Sequence, residues 1–241
     1  MAIRPIFIPT LHSPFFEKRD VSFKWHAGFS LSQKQKSLSS LHQNAKELFN
    51  IRELLEISTK SPQQLGNKLS AFNLRAFVKN KSYDSDRQYS LETLFQTSKV
   101  FNNNMHCIDL LRLEELDIRK EIREREKKGL SHFAHDGDIW NLEPKGAFYN
   151  FLYIRSLLQI PHLFEALDEF DAFTDIAFNP NKSFNCQAES VSIFVGLNRA
   201  GLSPSEACSS QSNFLNLVYG ISEEISEGNS NETANFLDNL N

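Results

Sequence analysis

The sequence predicts a helix-rich α+β fold with a small β-sheet. Three observations carry that expectation. Apolar residues recur at helical spacing in several stretches of more than ten residues. The segments with strand character are short and bounded by Pro, Ser or Asn. A chain of 241 residues with 40% hydrophobic and 23% charged residues is long and apolar enough for a sizeable core.

The elements follow in order. Residues Ile3 to Ile8 read as a short strand, with Pro5 and Pro9 at its limits. Phe23 to Ser30 is an aromatic and basic cluster, with Lys24 beside Trp25 and a turn at Gly28. Two readings fit it, a surface strand with Trp25 half buried and a rim that stacks bases or contacts phosphate. Leu31, Leu38, Leu41, Ala45, Leu48 and Phe49 then predict a helix from about 32 to 49, with Asn50 able to cap its end. Leu54 to Ser58 is a strand. Ser61-Pro62 begins a short helix that Gly66 ends. Leu69 to Leu74 is a strand or extended loop.

The stretch from Tyr89 to Phe101 reads as a helix capped by Ser90. Leu91, Leu94, Phe95, Ser98 and Phe101 form its inner face. Glu92, Gln96 and Lys99 stack in one polar row at i, i+4 and i+7. Spacing alone leaves that row either a solvated helix face or the wall of a pocket. A long charged helix is expected from His106 to Lys128, stopped by Gly129. His132 to Asp138 holds two histidines and two aspartates but matches no zinc or calcium signature, so it reads as a polar loop. Trp140 follows at a loop-to-helix junction.

Pro144 starts an apolar helix that Pro161 breaks, and a second helix runs to about Phe170. Phe173 to Phe178 alternates as a short strand. Asp171 and Asp175 are carboxylates among aromatics, either capped and structural or raised in pKa and chemical. Asn185 is expected to cap a helix from Cys186 to Arg199. Ser203-Pro204-Ser205-Glu206 is a capping box that opens another helix.

The net charge of −4 is unevenly spread. The last basic residue is Arg199, and six acidic residues follow Ser203, which leaves +2 on the body of the chain. That balance permits an anionic ligand without demonstrating one. The 21 phenylalanines suit both a core and a site that stacks rings. Three unpatterned cysteines argue against a disulfide framework, and with no apolar leader or membrane span in view a reducing cytoplasm is expected.

The central stretch also resembles the NADAR family of N-glycosidases. Leu69-Ser70-Ala71-Phe72-Asn73 is similar to that family's L-S-N-F segment. Tyr89 to Lys99 is similar to its Y-x-S-x-E-H-x-x-Q-x-x-K helix, and Trp140, Phe173-Thr174-Asp175 and Asn185-Cys186-Gln187-Ala188 stand where its later elements stand. Arg4 to Pro9, Gly28-Phe29-Ser30 and Asp171 to Ile176 look closer still to the NADAR antitoxins encoded beside DarT-type toxins. Thr93 replaces the family's His, Ala71 replaces an Asn, and the W-G-x-G-like stretch is absent.

The resemblance implies a helix-rich NADAR-like α+β domain with a central pocket. With it go an N-terminal elaboration over 1–60 packed on the core and a catalytic core over 61–202; beyond the resemblance, the capping box predicts a C-terminal helix over 203–225, and the Ser, Glu and Asn composition after Gly220 an acidic, disordered tail over 226–241. The implied reaction is hydrolysis of the bond between the distal ribose of ADP-ribose and a guanine base of nucleic acid, DNA in the first instance. ADP-ribose is then a product, a DarT-type toxin the functional counterpart, and no cofactor or metal is implied. Alternatives are an N-glycosidase of a small phosphorylated metabolite and a non-catalytic antitoxin that binds its toxin.

Such a reaction passes through an oxocarbenium-like state, so the site needs a carboxylate near the anomeric carbon and a donor for the leaving base. Glu92 is the main candidate, Asp175 the second carboxylate, and Lys99 the residue that pairs with Glu92 or assists the leaving group or phosphate. Gln96 and Asn73 would orient hydroxyls, water or a base edge. Phe72 and Trp140 would form stacking walls. Asn185, Lys24 and Trp25 are candidate contacts for pyrophosphate or nucleic acid.

Overall fold

The computed structural model describes residues 1–28, 30–77, 88–181 and 183–222. Among them the fold is α+β, with three small sheets and helices around and between them. The first sheet is built from β1 (Ala2–Pro9), β2 (Phe16–Phe23), β3 (Leu54–Glu56) and β10 (Ala172–Thr174), in the order β2-β1-β10-β3. β1 and β2 form an antiparallel hairpin from Ala2 opposite Phe23 to Pro9 opposite Phe16. β10 runs antiparallel to β1 and parallel to β3. The first 60 residues thus supply the three strands that complete the sheet with β10, two of which pair with it directly.

The alternation of these strands sends side chains to two cores. Ile6, Val21, Leu54 and Ala172 face α1 (Leu31–Phe49), which covers one side with Leu38, Leu41 and Ala45. Phe7, Leu55 and Phe173 face the larger core. Asn50 ends α1 in the left-handed conformation, as its residue type allows. The larger core is centred on α5 (Ala147–Leu157), buried on almost every side, and on α7 (Gln187–Arg199), which packs against it. Asn150 ties the two helices to α9 (Gln211–Tyr219) through Glu189, Ser190 and Tyr219.

Several expected boundaries are corrected. α2 covers Gln64–Lys68 with Gly66 inside it. A Cβ on Gly66 would lie 1.9 Å from the Glu56 carbonyl oxygen, so this glycine serves close packing instead of ending the helix. Leu69 to Leu74 is neither strand nor extended; it folds into tight turns in which Asn73 and Leu74 both donate to Ser70 O. β4 (Arg75–Phe77) and β5 (Gln88–Ser90) pair as a two-stranded sheet.

The helix from Ser90 is shorter than its periodicity suggests. α3 spans Leu91–Thr97, and the next residues enter β6 (Lys99–Phe101). The cause is tertiary: β8 (Leu130–His135) captures that segment, with Lys99 opposite Phe133 and Val100 opposite His132. β6 also pairs with β7 (Met105–His106), and β8 with β9 (Asp138–Trp140). The expected polar loop at 132–138 is therefore a hairpin, closed by Asp136 and Gly137 at φ of 53° and 96°. An Asp-Gly pair is the residue type such a turn requires.

The expected helix from His106 to Lys128 is divided into a 3₁₀ helix (Ile108–Arg112) and α4 (Glu115–Glu126). The division lets Leu111 enter the larger core while Ile118 and Ile122 fill a small one with Phe101 and Cys107. The helix after Pro144 begins only at Ala147, behind Gly146 at φ 81°. α6 is confined to Leu163–Leu167. The C-terminal helix expected over 203–225 is two helices, α8 (Pro204–Ala207) and α9, capped by Ser203 and Ser210. The tail over 226–241 lies outside the described residues. Among the described residues no helix is long and apolar enough to cross a membrane. All three cysteines are free and buried.

Candidate active site

Glu92 lies in the first turn of α3, where the helix N-terminus favours a carboxylate. Ser90 caps that turn by accepting from Thr93 N. Gln96 sits one turn on and donates Nε2 to Glu92 Oε1 at 2.9 Å. Oε1 of Gln96 is buried without a hydrogen-bond partner among the described residues. The i, i+4 part of the expected polar row is thus real and packed.

Asp175 follows β10 directly and is 5% exposed. Its Oδ1 accepts from the backbone of Ala177 and Phe178, at 3.0 and 3.2 Å. Its Oδ2 accepts from Gln187 Nε2 at 2.9 Å. Burial pushes the Asp175 carboxyl above the usual carboxylate range, against these three donors and the nearby Arg4 guanidinium.

The backbone of one residue, Ala71, links the segments that carry the two acids. Gln187 Oε1 accepts from Ala71 N at 2.5 Å, and Ala71 O accepts from Glu92 N at 2.9 Å. The path runs from Asp175 through Gln187 and Ala71 to Glu92, drawing together the turn at 69–74, α3, α7 and the end of β10. Tyr149 of α5 completes the group: it is buried, and the charges of both Glu92 and Asp175 bear on its hydroxyl and raise its pKa beyond the effect of burial. Cys186 lies close by, but burial and Asp175 push its thiol well up, which makes it a poor nucleophile.

Tyr149 also lines a cleft of about 400 Å³ with Phe95, Phe133, Phe148, Lys99, Lys145 and Asn185 among its walls. The rings are in contact, Phe133 on Phe148 at 4.7 Å and Phe95 edge-on to Tyr149 at 5.1 Å. This is an aromatic, partly cationic recess that meets the carboxylate group at Tyr149; Glu92 and Asp175 themselves are not among its described lining residues.

Lys99 stands apart from the row in which it was expected. It is on β6, its Nζ pairs with Glu126 Oε1 at 2.9 Å, and it borders the aromatic cleft. The expected pairing with Glu92 is corrected for that reason. Asn185 borders the same cleft, but Cys186, not Asn185, holds the N-cap of α7. Trp140 is corrected as a stacking wall: it is 1% exposed, enclosed by Phe148, Phe151 and Phe214, with Nε1 lacking a partner among the described residues.

Phe72 and Asn73 follow Ala71 but turn outward. Phe72 is 46% exposed with the Arg119 guanidinium 6.0 Å from its ring. Asn73 donates to both the backbone and side-chain oxygens of Asn67 and borders a groove with Lys68 and Arg75. Trp25 is half buried against Phe23, with Lys34 Nζ 4.4 Å and the Arg4 guanidinium 5.7 Å from its ring. Lys24 is exposed, and its backbone N–H donates to Ser40. Trp25 thereby connects to the site through Arg4, whose charge acts on Asp175. Among the described residues, no cluster of three or more His, Cys, Asp or Glu is arranged to hold a metal ion.

Gln187, Tyr149, Arg4 and Glu56 were not singled out from sequence. Gln187 lay inside a quoted motif, and Glu56 interrupts the apolar run Leu54-Leu55-Glu56-Ile57, a signal that a charge there is held by something. Arg4 likewise lay inside a quoted segment, and Tyr149 carries no comparable local signal.

A model of the family described as DarT1-associated NADAR antitoxin matches residues 2–227 of the chain. No curated protein matches it significantly.

Proposed function

Since the chain belongs to the family of DarT1-associated NADAR antitoxins, we propose that it is an N-glycosidase that removes ADP-ribose from guanine bases of nucleic acid and so reverses the toxin's modification. The observation that carries this reading is the hydrogen-bonded path from Asp175 through Gln187 and the Ala71 peptide to Glu92. It ties together the segments that carry two carboxylates of unlike environment, and Tyr149, on which both charges bear, lines an aromatic cleft. Unlike environments are what separate an acid from a base in one site.

In this reading the bond from the anomeric carbon of the distal ribose to the base breaks, and its electron pair leaves with guanine. Glu92, half-buried at a helix N-terminus, is suited to the ionised role that stabilises positive charge on the ribose. Asp175, raised by burial, is suited to carry the proton that the leaving base takes up. Water then adds to the anomeric carbon and gives its proton to a carboxylate, so the balance is one water consumed and ADP-ribose released. The half-buried Phe133 and the exposed Phe184 offer ring faces to the nucleoside parts, and Lys99 and Lys145 offer charge to the pyrophosphate.

The test is release of ADP-ribose from an oligonucleotide carrying guanine-linked ADP-ribose. Wild type is expected to release it, and Glu92→Gln to lose about 10²–10⁴-fold in turnover, the usual range for a positioned acid–base group, with its melting temperature kept. No release by folded wild type overturns the reading. Inhibition of the toxin on mixing, without release, would then mark a binding antitoxin.

A further inference from the structure

Glu56 is fully enclosed, at 1% exposure, and none of its contacts is with solvent. It ends β3, and the parallel register places it opposite Thr174, the residue before Asp175. Its Oε2 accepts from Thr174 Oγ1 at 2.7 Å, and its Oε1 accepts from Ile176 N at 2.9 Å and from Ser58 Oγ at 2.6 Å. The carboxylate thus holds the residues on both sides of Asp175 and leaves the Asp175 side chain to Gln187 and the backbone of Ala177 and Phe178. The Glu56 carbonyl packs so closely on Gly66 of α2 that no side chain fits there.

We propose that Glu56 is the positioning residue for Asp175, a buried clamp on Thr174 and Ile176 that keeps the Asp175 carboxylate in line with Gln187 and the Ala71 peptide. The inference rests on the reading that Asp175 serves the reaction. A buried acid gripping a strand end is expensive to maintain when apolar packing would serve stability equally. Here the acid makes the two hydrogen bonds that bracket Asp175.

The charged and titratable groups around this clamp come from every side. Asp175 is the neighbouring acid, and it adds to burial in raising Glu56. Arg4 of β1 faces Asp175. His42 of α1 reaches Thr174 Oγ1 through Nε2 at 2.8 Å. Tyr149 and Tyr153 of α5 and Cys186 before α7 all feel Asp175. Two buried acids this close titrate as a pair, in two steps that belong to both.

The experiment compares Glu56→Ala and Glu56→Gln with wild type in the full chain. Glu56→Gln keeps the length and an acceptor, and the Thr174 and Ser58 hydroxyls can turn to suit an amide. It is expected to hold kcat within about threefold, since the bracket survives. Glu56→Ala removes the bracket and is expected to lower kcat by about tenfold to a hundredfold with KM within threefold, as small misplacement of a reacting group does. A folded Glu56→Ala with wild-type kcat overturns the proposal. A carboxyl ¹³C NMR titration supplies the readout that does not need turnover. The Asp175 resonance should move in two steps in wild type and in one step in Glu56→Gln; identical curves overturn the proposal even if Glu56→Ala does not fold. Absence of ADP-ribose release by wild type would count against the glycosidase reading alone, because the titration decides the clamp separately.

Discussion

Gln187 donates Nε2 to Asp175 at 2.9 Å and accepts the Ala71 N–H on the other end of the same amide. A side-chain amide gives to a carboxylate through its NH₂ and takes from a peptide N–H through its oxygen, about 2 Å apart and without a charge of its own. Gln187→Ala removes a donor from Asp175 and leaves the Ala71 N–H unpaired. A stability loss of about 1–3 kcal/mol is expected from the unpaired group, read by denaturant unfolding. Turnover should fall more than tenfold, because the Ala71 peptide also accepts from Glu92 N. Wild-type turnover in Gln187→Ala would mean that the two acids do not depend on each other.

Lys99 belongs both to an ion pair and to the wall of the aromatic cleft, and the two roles separate by substitution. Its side chain is 11% exposed, whereas that of Glu126 is 49% exposed. Glu126→Gln therefore breaks a half-solvated pair, which should change stability by less than about 1 kcal/mol and leave turnover within twofold. Lys99→Met takes the cation out of the cleft. At least a tenfold loss in kcat/KM on the modified oligonucleotide is expected, with the melting temperature nearly unchanged. Equal effects of the two variants would assign Lys99 to the ion pair alone.

What the sequence revealed and what it hid have physical causes. Glu92 and Gln96 were legible because an i, i+4 pair on a helix is fixed by local geometry. Asp175 was legible as a carboxylate among aromatics, though not what holds it. Lys99 was misplaced because its strand is imposed by β8, thirty residues on, and no helical periodicity reports that. The same applies to Glu56 and Gln187, whose partners are 118 and 116 residues away. Asn185 was misassigned by a single residue at a helix end, where local signals are weakest. The Asp136-Gly137 hairpin, by contrast, carries a local signal that gives its structure outright, as the charge of Glu56 within an apolar run does not.

Trp140 offers a test of burial against chemistry. Its ring packs on Phe151 at 4.6 Å and Phe148 at 5.6 Å, with no face toward the cleft's solvent side. A ring so enclosed cannot stack on a substrate base. Trp140→Phe removes an indole N–H that has no partner among the described residues and leaves part of the ring volume empty. The two effects oppose, so a loss of about 1–2 kcal/mol is expected from the residual cavity, with KM within twofold of wild type. A KM raised tenfold in a stable Trp140→Phe would return the residue to the substrate site.

His42 gives the fold a sensitivity to acid. Its Nε2 meets Thr174 Oγ1 at 2.8 Å, and burial, with Lys46 nearby, lowers its pKa to about 4. An unfolded histidine titrates near 6.5. Between those values the unfolded chain binds a proton that the folded chain refuses, so stability falls as pH falls from about 6.5 to about 4 and levels off below. Above 6.5 both states are neutral and His42 contributes no pH dependence. His42→Gln keeps a donor for Thr174 and removes the titration. The stability difference between the two proteins should be constant above pH 7 and shift in favour of His42→Gln by about 2–3 kcal/mol on reaching pH 4, since one pKa unit corresponds to about 1.4 kcal/mol and the ring is only partly shielded. Titrations of Glu56 and Asp175 occur in both proteins and cancel in the difference. Urea unfolding at closely spaced pH values measures it, and a difference that stays flat from pH 8 to pH 4 would show that His42 takes up its proton in the folded protein as readily as in the unfolded chain.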